Sequence, residues 1–195
     1  MVSKVYLASA SPRRQALLRQ LGIEFEVVVP DIAERRCAGE AAEAYVRRIA
    51  AEKAQRALAL IQEHGLERWP IVAADTCVVL DGEILGKPRD RAEGEDMLRR
   101  LSGRIHEVLT AVAVVHGAFE RTVLNVSRVA FRALLQDEIT RYWQTGEPAD
   151  KAGAYALQGR AAVFVCAIEG SYSGIVGLPL YELAGLLNEM GFEVL

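Results

Sequence analysis

The sequence lacks the features that mark membrane proteins and disulfide-bonded secreted proteins. None of its apolar runs approaches the roughly 20 residues that a membrane-spanning helix needs. The apolar part of the N-terminal segment is too short for a signal peptide and leads directly into Arg13 and Arg14. The three cysteines lie far apart and form no CxxC pair, which argues against a disulfide framework and against a zinc site. These absences predict a cytoplasmic protein with no membrane partner, whose thiols are reduced and buried.

An excess of charge of one sign is also missing. The 23 basic and 26 acidic residues are interspersed and leave a net charge of −3. Because a nucleic-acid polymer is bound by clustered positive charge, no such polymer is expected as a partner. A smaller polyanionic ligand would have to be held locally, by a few well-placed cations and a metal ion.

Strand and helix patterns alternate along the 195 residues, which suffice for one well-cored domain over residues 1–195. The predicted strands span residues 4–8, 25–29, 71–80, 107–115, 121–133 and 163–168. The predicted helices span residues 12–21, 39–60, 92–101, 137–145 and 179–190. This alternation predicts an α/β fold with a mixed, twisted sheet flanked by helices, and two lobes around a cleft.

Two arginines stand where a helix disfavours cations. Ser11 is a good N-cap and Pro12 suits the first helical position, so both arginines fall in the first turn. The helix dipole is positive at this end and disfavours cations by a few tenths of a kcal/mol. A bound anion would offset that cost, because free N–H groups, serine hydroxyls and the guanidinium groups of Arg13 and Arg14 would all contact it. The alternative is that both arginines are solvated or paired with a carboxylate.

A carboxylate interrupts the apolar strand at 71–80. Asp75, followed by Thr76, lies in a run that otherwise reads as buried. A charge in such a run must be paired, bound to a metal or placed at an exposed strand end. Asp75 therefore suits a general base that takes a proton from water, or a metal ligand, although an isolated aspartate at a strand end is more often a hydrogen-bonded structural residue.

Four further residues give weaker signals when each is taken alone. Lys53, among glutamates on the long helix, and Lys87, held extended by the proline that follows it, are typical of solvated lysines. Glu34 lies in a loop after a strand, where a carboxylate can bind Mg²⁺ together with substrate phosphates. Gln158 ends a glycine-rich loop, and its amide can both donate to and accept from a base edge.

Together these motifs resemble the Maf family of nucleotide pyrophosphatases, which is related in fold to the inosine-triphosphate pyrophosphatases. The resemblance covers nearly the whole chain and rests on SASPRR, AAEKA, AADT, ILGKPRD, MLRRLSGRIHEVLTAVAV, EPADKAGAYALQG and GSYSGIVGLPL in this order. The segment TAVAV, where relatives often have TGVA, is a departure that touches no candidate residue.

The resemblance implies hydrolysis of a nucleoside triphosphate to the monophosphate and pyrophosphate. Asp75 would be the base that activates the attacking water, and Glu34 would help to bind a divalent ion, Mg²⁺ or Mn²⁺. The residues implied to hold the triphosphate are Ser11, Arg13, Arg14, Lys53 and Lys87. A homodimer is also implied, since many relatives are homodimers.

The subgroup implied by DKAGAYALQG is the one that acts on dTTP and UTP. Gln158 would read the base together with Arg13 and Thr76, because uracil and thymine offer an acceptor oxygen and an N–H that an amide can match. One alternative is a pyrophosphatase for modified purine triphosphates such as 7-methyl-GTP, whose subgroup typically has glutamate at this place. A second alternative is a nucleotide-binding regulator of cell division, although the presence of Asp75 favours turnover over binding alone.

Overall fold

The computed structural model describes residues 4–194, which form a mixed α/β fold. Within this range the strands are β1 Lys4–Leu7, β2 Glu24–Val27, β3 Ile71–Leu80, β4 Glu83–Leu85, β5 Ile105–His116, β6 Phe119–Phe131 and β7 Val165–Glu169. The α-helices are α1 Pro12–Gln20, α2 Ala42–Glu63, α3 Arg91–Leu101, α4 Gln136–Gln144, α5 Tyr172–Val176 and α6 Leu180–Glu189. Short 3₁₀ turns span Glu147–Asp150, Ala152–Ala154 and Arg160–Phe164.

The strands belong to one sheet in the order β2-β1-β3-β5-β6-β7, with β4 paired to β3. Strand β1 runs parallel to both β2 and β3, with Tyr6 in register with Ile71. The pairs β3–β4 and β6–β7 are antiparallel. The sheet is therefore mixed, and this confirms the predicted fold class.

The chain divides into two compact units, which agrees with the prediction of two lobes. The first unit takes in the described residues of Met1–Asp75, Thr110–Asn125 and Gly177–Leu195. The second unit is made of Thr76–Leu109 and Val126–Val176. The predicted cleft and the single domain over 1–195 stay predictions.

In the first unit, helix α2 packs one face into the core. Its buried positions recur at helical spacing: Val46, Ile49, Ala50, Lys53, Ala54, Ala57 and Ile61. One of these is a lysine, so the buried face of the helix carries a charge as well as apolar groups. Among residues 4–194, no helix is long and apolar enough to cross a membrane.

In the second unit, the core is rich in aromatic side chains that meet edge to face. Phe131 packs against both Tyr155 and Phe164, with ring centroids 4.9 and 6.0 Å apart. Tyr142 of α4 packs against Phe164 at 5.2 Å. The segment after α4 is therefore anchored by large buried rings, although it contains little regular structure.

The elements differ from their predicted bounds in a few places. Strand β3 has its predicted bounds, but α2 spans Ala42–Glu63 and not 39–60. Gly39 has a left-handed φ of +71° and Ala41 is extended, so neither can belong to the helix. Helix α5 and the 3₁₀ turns were not predicted. The prediction that all three thiols are buried is wrong, since Cys77 alone is buried. Cys37 and Cys166 are exposed because they lie in a surface loop and on the exposed strand β7.

Candidate active site

Asp75 lies in the middle of strand β3 and is only 5% exposed. Its Oδ1 accepts a hydrogen bond of 2.7 Å from Nζ of Lys53 on α2. Burial raises the pKa of the Asp75 carboxyl, the positive charges of Lys53 and Arg14 oppose that rise, and the charge of Glu34 adds to it. A desolvated carboxylate held by one lysine is well suited to accept a proton.

Lys53 joins two carboxylates. Its ammonium lies 2.7 Å from Asp75 and 2.8 Å from Glu34 Oε1. The reading of Lys53 as a solvated surface lysine is wrong, because it lies on the inward face of α2 and is 8% exposed. An ammonium has three N–H donors, so two engage these carboxylates and one remains for a further acceptor.

Glu34 is placed by a loop that is fastened to helix α2. Arg48 of α2 donates to both carboxylate oxygens of Glu40 at 2.7 Å each and to the carbonyl of Arg35 at 3.0 Å. The Tyr45 hydroxyl donates to the Glu34 carbonyl at 3.4 Å. The Glu34 side chain itself is 43% exposed, so the same carboxylate meets both Lys53 and solvent.

The start of helix α1 agrees with its prediction. Ser11 is the N-cap and accepts from the Arg14 N–H at 3.5 Å, with Pro12 as the first helical residue. Arg14 is half-buried and donates to the carbonyl of Gly177 at 2.7 Å and to Ser9 Oγ at 3.2 Å. Burial lowers the pKa of Arg14, and the carboxylates of Asp75 and Glu34 raise it. Arg14 is therefore held by Gly177 and Ser9 and interacts electrostatically with both carboxylates.

The four remaining candidates are exposed or half-buried. Arg13 is half-buried in the first unit, and within residues 4–194 its side chain forms no hydrogen bond or ion pair. Thr76 follows Asp75 and is half-buried, and Lys87 and Gln158 are exposed residues of the second unit. The Gly153 N–H donates to the Gly86 carbonyl at 3.0 Å, which joins the loop before Gln158 to the loop of Lys87.

The structure thus brings Asp75, Lys53 and Glu34 into direct contact, with Arg14 close enough to influence two of the carboxyls. Sequence reasoning missed the Arg48–Glu40 pair that holds the Glu34 loop. These residues are eight positions apart, one in a loop and one in a helix, so neither helical nor strand periodicity predicts that they pair.

The donor set at Lys53 fits a divalent ion of the Mg²⁺ type. Across residues 4–194, no group of three or more His, Cys, Asp and Glu side chains could hold a metal by itself. Mg²⁺ often takes only one or two protein carboxylates and completes its shell with water and substrate phosphates. Glu34, which is partly exposed to solvent beside Lys53, could supply one such carboxylate, and the substrate would then complete the shell of the ion.

Comparisons with known proteins show which proteins the chain is similar to. The chain is 53% identical over 191 residues to a dTTP/UTP pyrophosphatase of Alkalilimnicola ehrlichii, covering 97% of this chain and 93% of the relative. It is 52% identical over 187 residues to a dTTP/UTP pyrophosphatase of Salmonella typhimurium, covering 96% of this chain and 93% of the relative. One solved structure, the Ham1 protein of Staphylococcus aureus, is 14% identical with a TM-score of 0.46, covering 66% of this chain and 71% of that one.

The family model described as Maf-like protein matches residues 4–190, from the first described strand to the end of α6. The motifs that carried the resemblance all lie inside this match. The chain therefore belongs to the Maf-like protein family.

Proposed function

We propose that the protein is a nucleoside triphosphate pyrophosphatase that hydrolyses dTTP and UTP to the monophosphate and pyrophosphate. The observation that carries this proposal is the buried Asp75 carboxylate, held by Lys53 beside Glu34. A site that only bound a triphosphate would need cations, whereas a buried carboxylate would repel the phosphates. A buried carboxylate is useful, however, in a site that removes a proton from the attacking water.

In the proposed reaction, Asp75 takes a proton from the attacking water. The water oxygen bonds to the α-phosphorus, and the bond from that phosphorus to the bridging oxygen breaks, so pyrophosphate leaves with the bridging oxygen. Phosphoryl transfer of this kind depends on alignment of the attacking oxygen and on neutralisation of developing charge. Lys53 keeps the Asp75 carboxylate in one orientation through a bond of 2.7 Å.

The triphosphate would be held by cations and by the start of helix α1. Arg14 is oriented by Gly177 and Ser9, and its first-turn position places it beside free helix N–H groups. Arg13, Ser11 and Lys87 would supply further donors. The remaining N–H of Lys53 would contact a phosphate oxygen while the other two stay on the carboxylates.

A divalent ion, Mg²⁺ or Mn²⁺, would be held by Glu34, while Asp75 acts as the base. Such an ion supplies charge neutralisation on phosphate oxygens. Within this arrangement Glu34 would orient the ion while Lys53 keeps the two carboxylates from repelling each other.

The test is pyrophosphate release from a panel of canonical and modified triphosphates. We expect dTTP and UTP to give monophosphate and pyrophosphate, with activity lost on chelation and restored by Mg²⁺ or Mn²⁺. Diphosphate with inorganic phosphate would mean attack at the γ-phosphorus and would contradict the proposal. A preference for 7-methyl-GTP would instead support a modified-purine pyrophosphatase, and binding without turnover would support a regulator.

Base selection is expected to depend on Gln158. The substitution Gln158→Glu keeps the size of the side chain but replaces the amide donor with a negative charge, which would face a base oxygen. An unpaired polar group weakens binding by about 1–3 kcal/mol, so kcat/KM for dTTP and UTP should fall roughly 5- to 150-fold. A purine with a donor edge, such as 7-methyl-GTP, should lose less or gain. Measurement of kcat/KM for all three substrates in Gln158→Glu checks this, and equal losses would show that Gln158 does not read the base.

We also propose that the enzyme works in the cytoplasm. Cys37 and Cys166 are exposed free thiols, and such thiols persist in a reducing compartment.

A further inference from the structure

The segment around Gln158 is held by one carboxylate from outside it. Glu147 Oε2 accepts the Arg160 N–H at 3.0 Å, and Glu147 Oε1 accepts the Ala161 N–H at 3.5 Å. Glu147 Oε1 also accepts the Tyr142 hydroxyl at 2.7 Å. The carboxylate therefore joins helix α4 to the backbone that directly follows Gln158.

Tyr142 holds the other side of the same segment. Its hydroxyl oxygen accepts the Ala156 N–H at 3.2 Å while its proton goes to Glu147. Burial, followed by the hydrogen bond to Glu147, raises the pKa of Tyr142, so the hydroxyl stays protonated and keeps donating. Gln158 thus lies between two backbone anchors, at Ala156 and at Arg160.

Gly159 shows how closely the carboxylate packs against this segment. A Cβ at position 159 would lie 2.3 Å from Glu147 Oε1. The Gly159 backbone, with φ −127° and ψ −155°, is extended and open to any residue. A side chain at position 159 would therefore displace the Glu147 carboxylate, although the backbone conformation itself would allow one.

The Gln158 side chain depends on these anchors for its place. Within residues 4–194 the exposed Gln158 amide forms no hydrogen bond, so no neighbouring side chain fixes it. Its position follows from the backbone of residues 156–161, which the Tyr142 hydroxyl and the Glu147 carboxylate hold. We propose that Glu147 and Tyr142 are positioning residues for base selection, acting through Gln158 without touching the substrate. This inference rests on the proposed function.

The experiment compares binding of a nucleotide, which has a base, with binding of inorganic triphosphate, which has none. Tyr142→Phe keeps the ring packed against Phe164 and removes only the hydroxyl, and Glu147→Ala removes the carboxylate. For both variants we expect KM for dTTP and UTP to rise roughly tenfold. Inorganic triphosphate, which has no base, should inhibit the variants and the wild type with the same Ki. Glu83→Ala, which removes an exposed ion pair with Arg100 in the same unit, is the matched control and should change neither value.

A double variant tests the contact between position 159 and the Glu147 carboxylate. Gly159→Ala alone should also raise KM for dTTP, because its methyl group displaces the Glu147 carboxylate. In the Glu147→Ala background the clash is gone, so the second change should add less than a twofold effect. Fully additive effects would contradict a shared mechanism.

The outcomes distinguish this inference from the proposed function. If the wild type turns over dTTP but Tyr142→Phe has an unchanged KM, the inference alone is overturned. The same holds if Tyr142→Phe loses affinity for dTTP and for inorganic triphosphate equally. Absence of pyrophosphate release from dTTP and UTP in the folded, metal-supplied wild type would overturn both.

Discussion

Asp75→Asn is expected to lower turnover of dTTP by about 100-fold or more. Asparagine keeps the shape of the side chain and an oxygen that can still accept from Lys53, but it cannot take a proton from water. Affinity for dTTP should survive, because Arg14, Lys53 and the helix start are unchanged. The measurements are kcat by pyrophosphate release and Kd by calorimetry on the same protein.

The matched control for this change is Asp96→Asn. Asp96 is an exposed aspartate whose ion pair with Arg99 measures 3.1 Å, and its loss should leave kcat unchanged. A melting curve for each variant shows whether the fold is kept, since removing a partner from a buried pair destabilises a protein. Near-normal turnover in folded Asp75→Asn would remove Asp75 from its proposed role.

The paired, buried state of Asp75 can be predicted from the sequence because the signal is local. A carboxylate inside a ten-residue apolar strand is costly unless something compensates it, and the strand has its predicted bounds. The start of α1 is predicted for the same reason, since the N-cap and proline rules act over four residues. Fold class follows from the alternation of such local patterns.

The surroundings of Asp75 are less accessible to sequence reasoning. From the sequence, Lys53 is predicted to be a surface lysine among glutamates. Its burial could not be predicted because it depends on which face of α2 packs inward. The loop that carries Glu34 is held by bonds from Arg48 to Glu40 and to the Arg35 carbonyl, and no sequence period links these positions. The 3₁₀ turns near Gln158 depend likewise on Glu147 and Tyr142 bonding to distant backbone. Side-chain-to-backbone bonds of this kind arise only once the chain is folded.

Lys53→Met is the second change for which we expect a large effect, because it alters both the orientation and the protonation of Asp75. Methionine has a similar length and suits the buried face of α2, but it removes the ammonium that holds Asp75 and Glu34 at 2.7 and 2.8 Å. Turnover of dTTP at neutral pH should fall roughly 100-fold, since the proposed base would lose its partner and one phosphate donor.

The pH profile of Lys53→Met is the more specific test of this cluster. The charge of Lys53 lowers the pKa of Asp75 against the effect of burial, so its removal raises that pKa. A general base works only when ionised, and activity is lost as pH falls through its pKa. The acidic limb of kcat/KM for dTTP should therefore move to higher pH in Lys53→Met. Lys4→Met, which removes an exposed pair with Glu26, should leave the limb in place. A large loss of turnover with an unmoved acidic limb would mean that Lys53 binds phosphate without tuning Asp75.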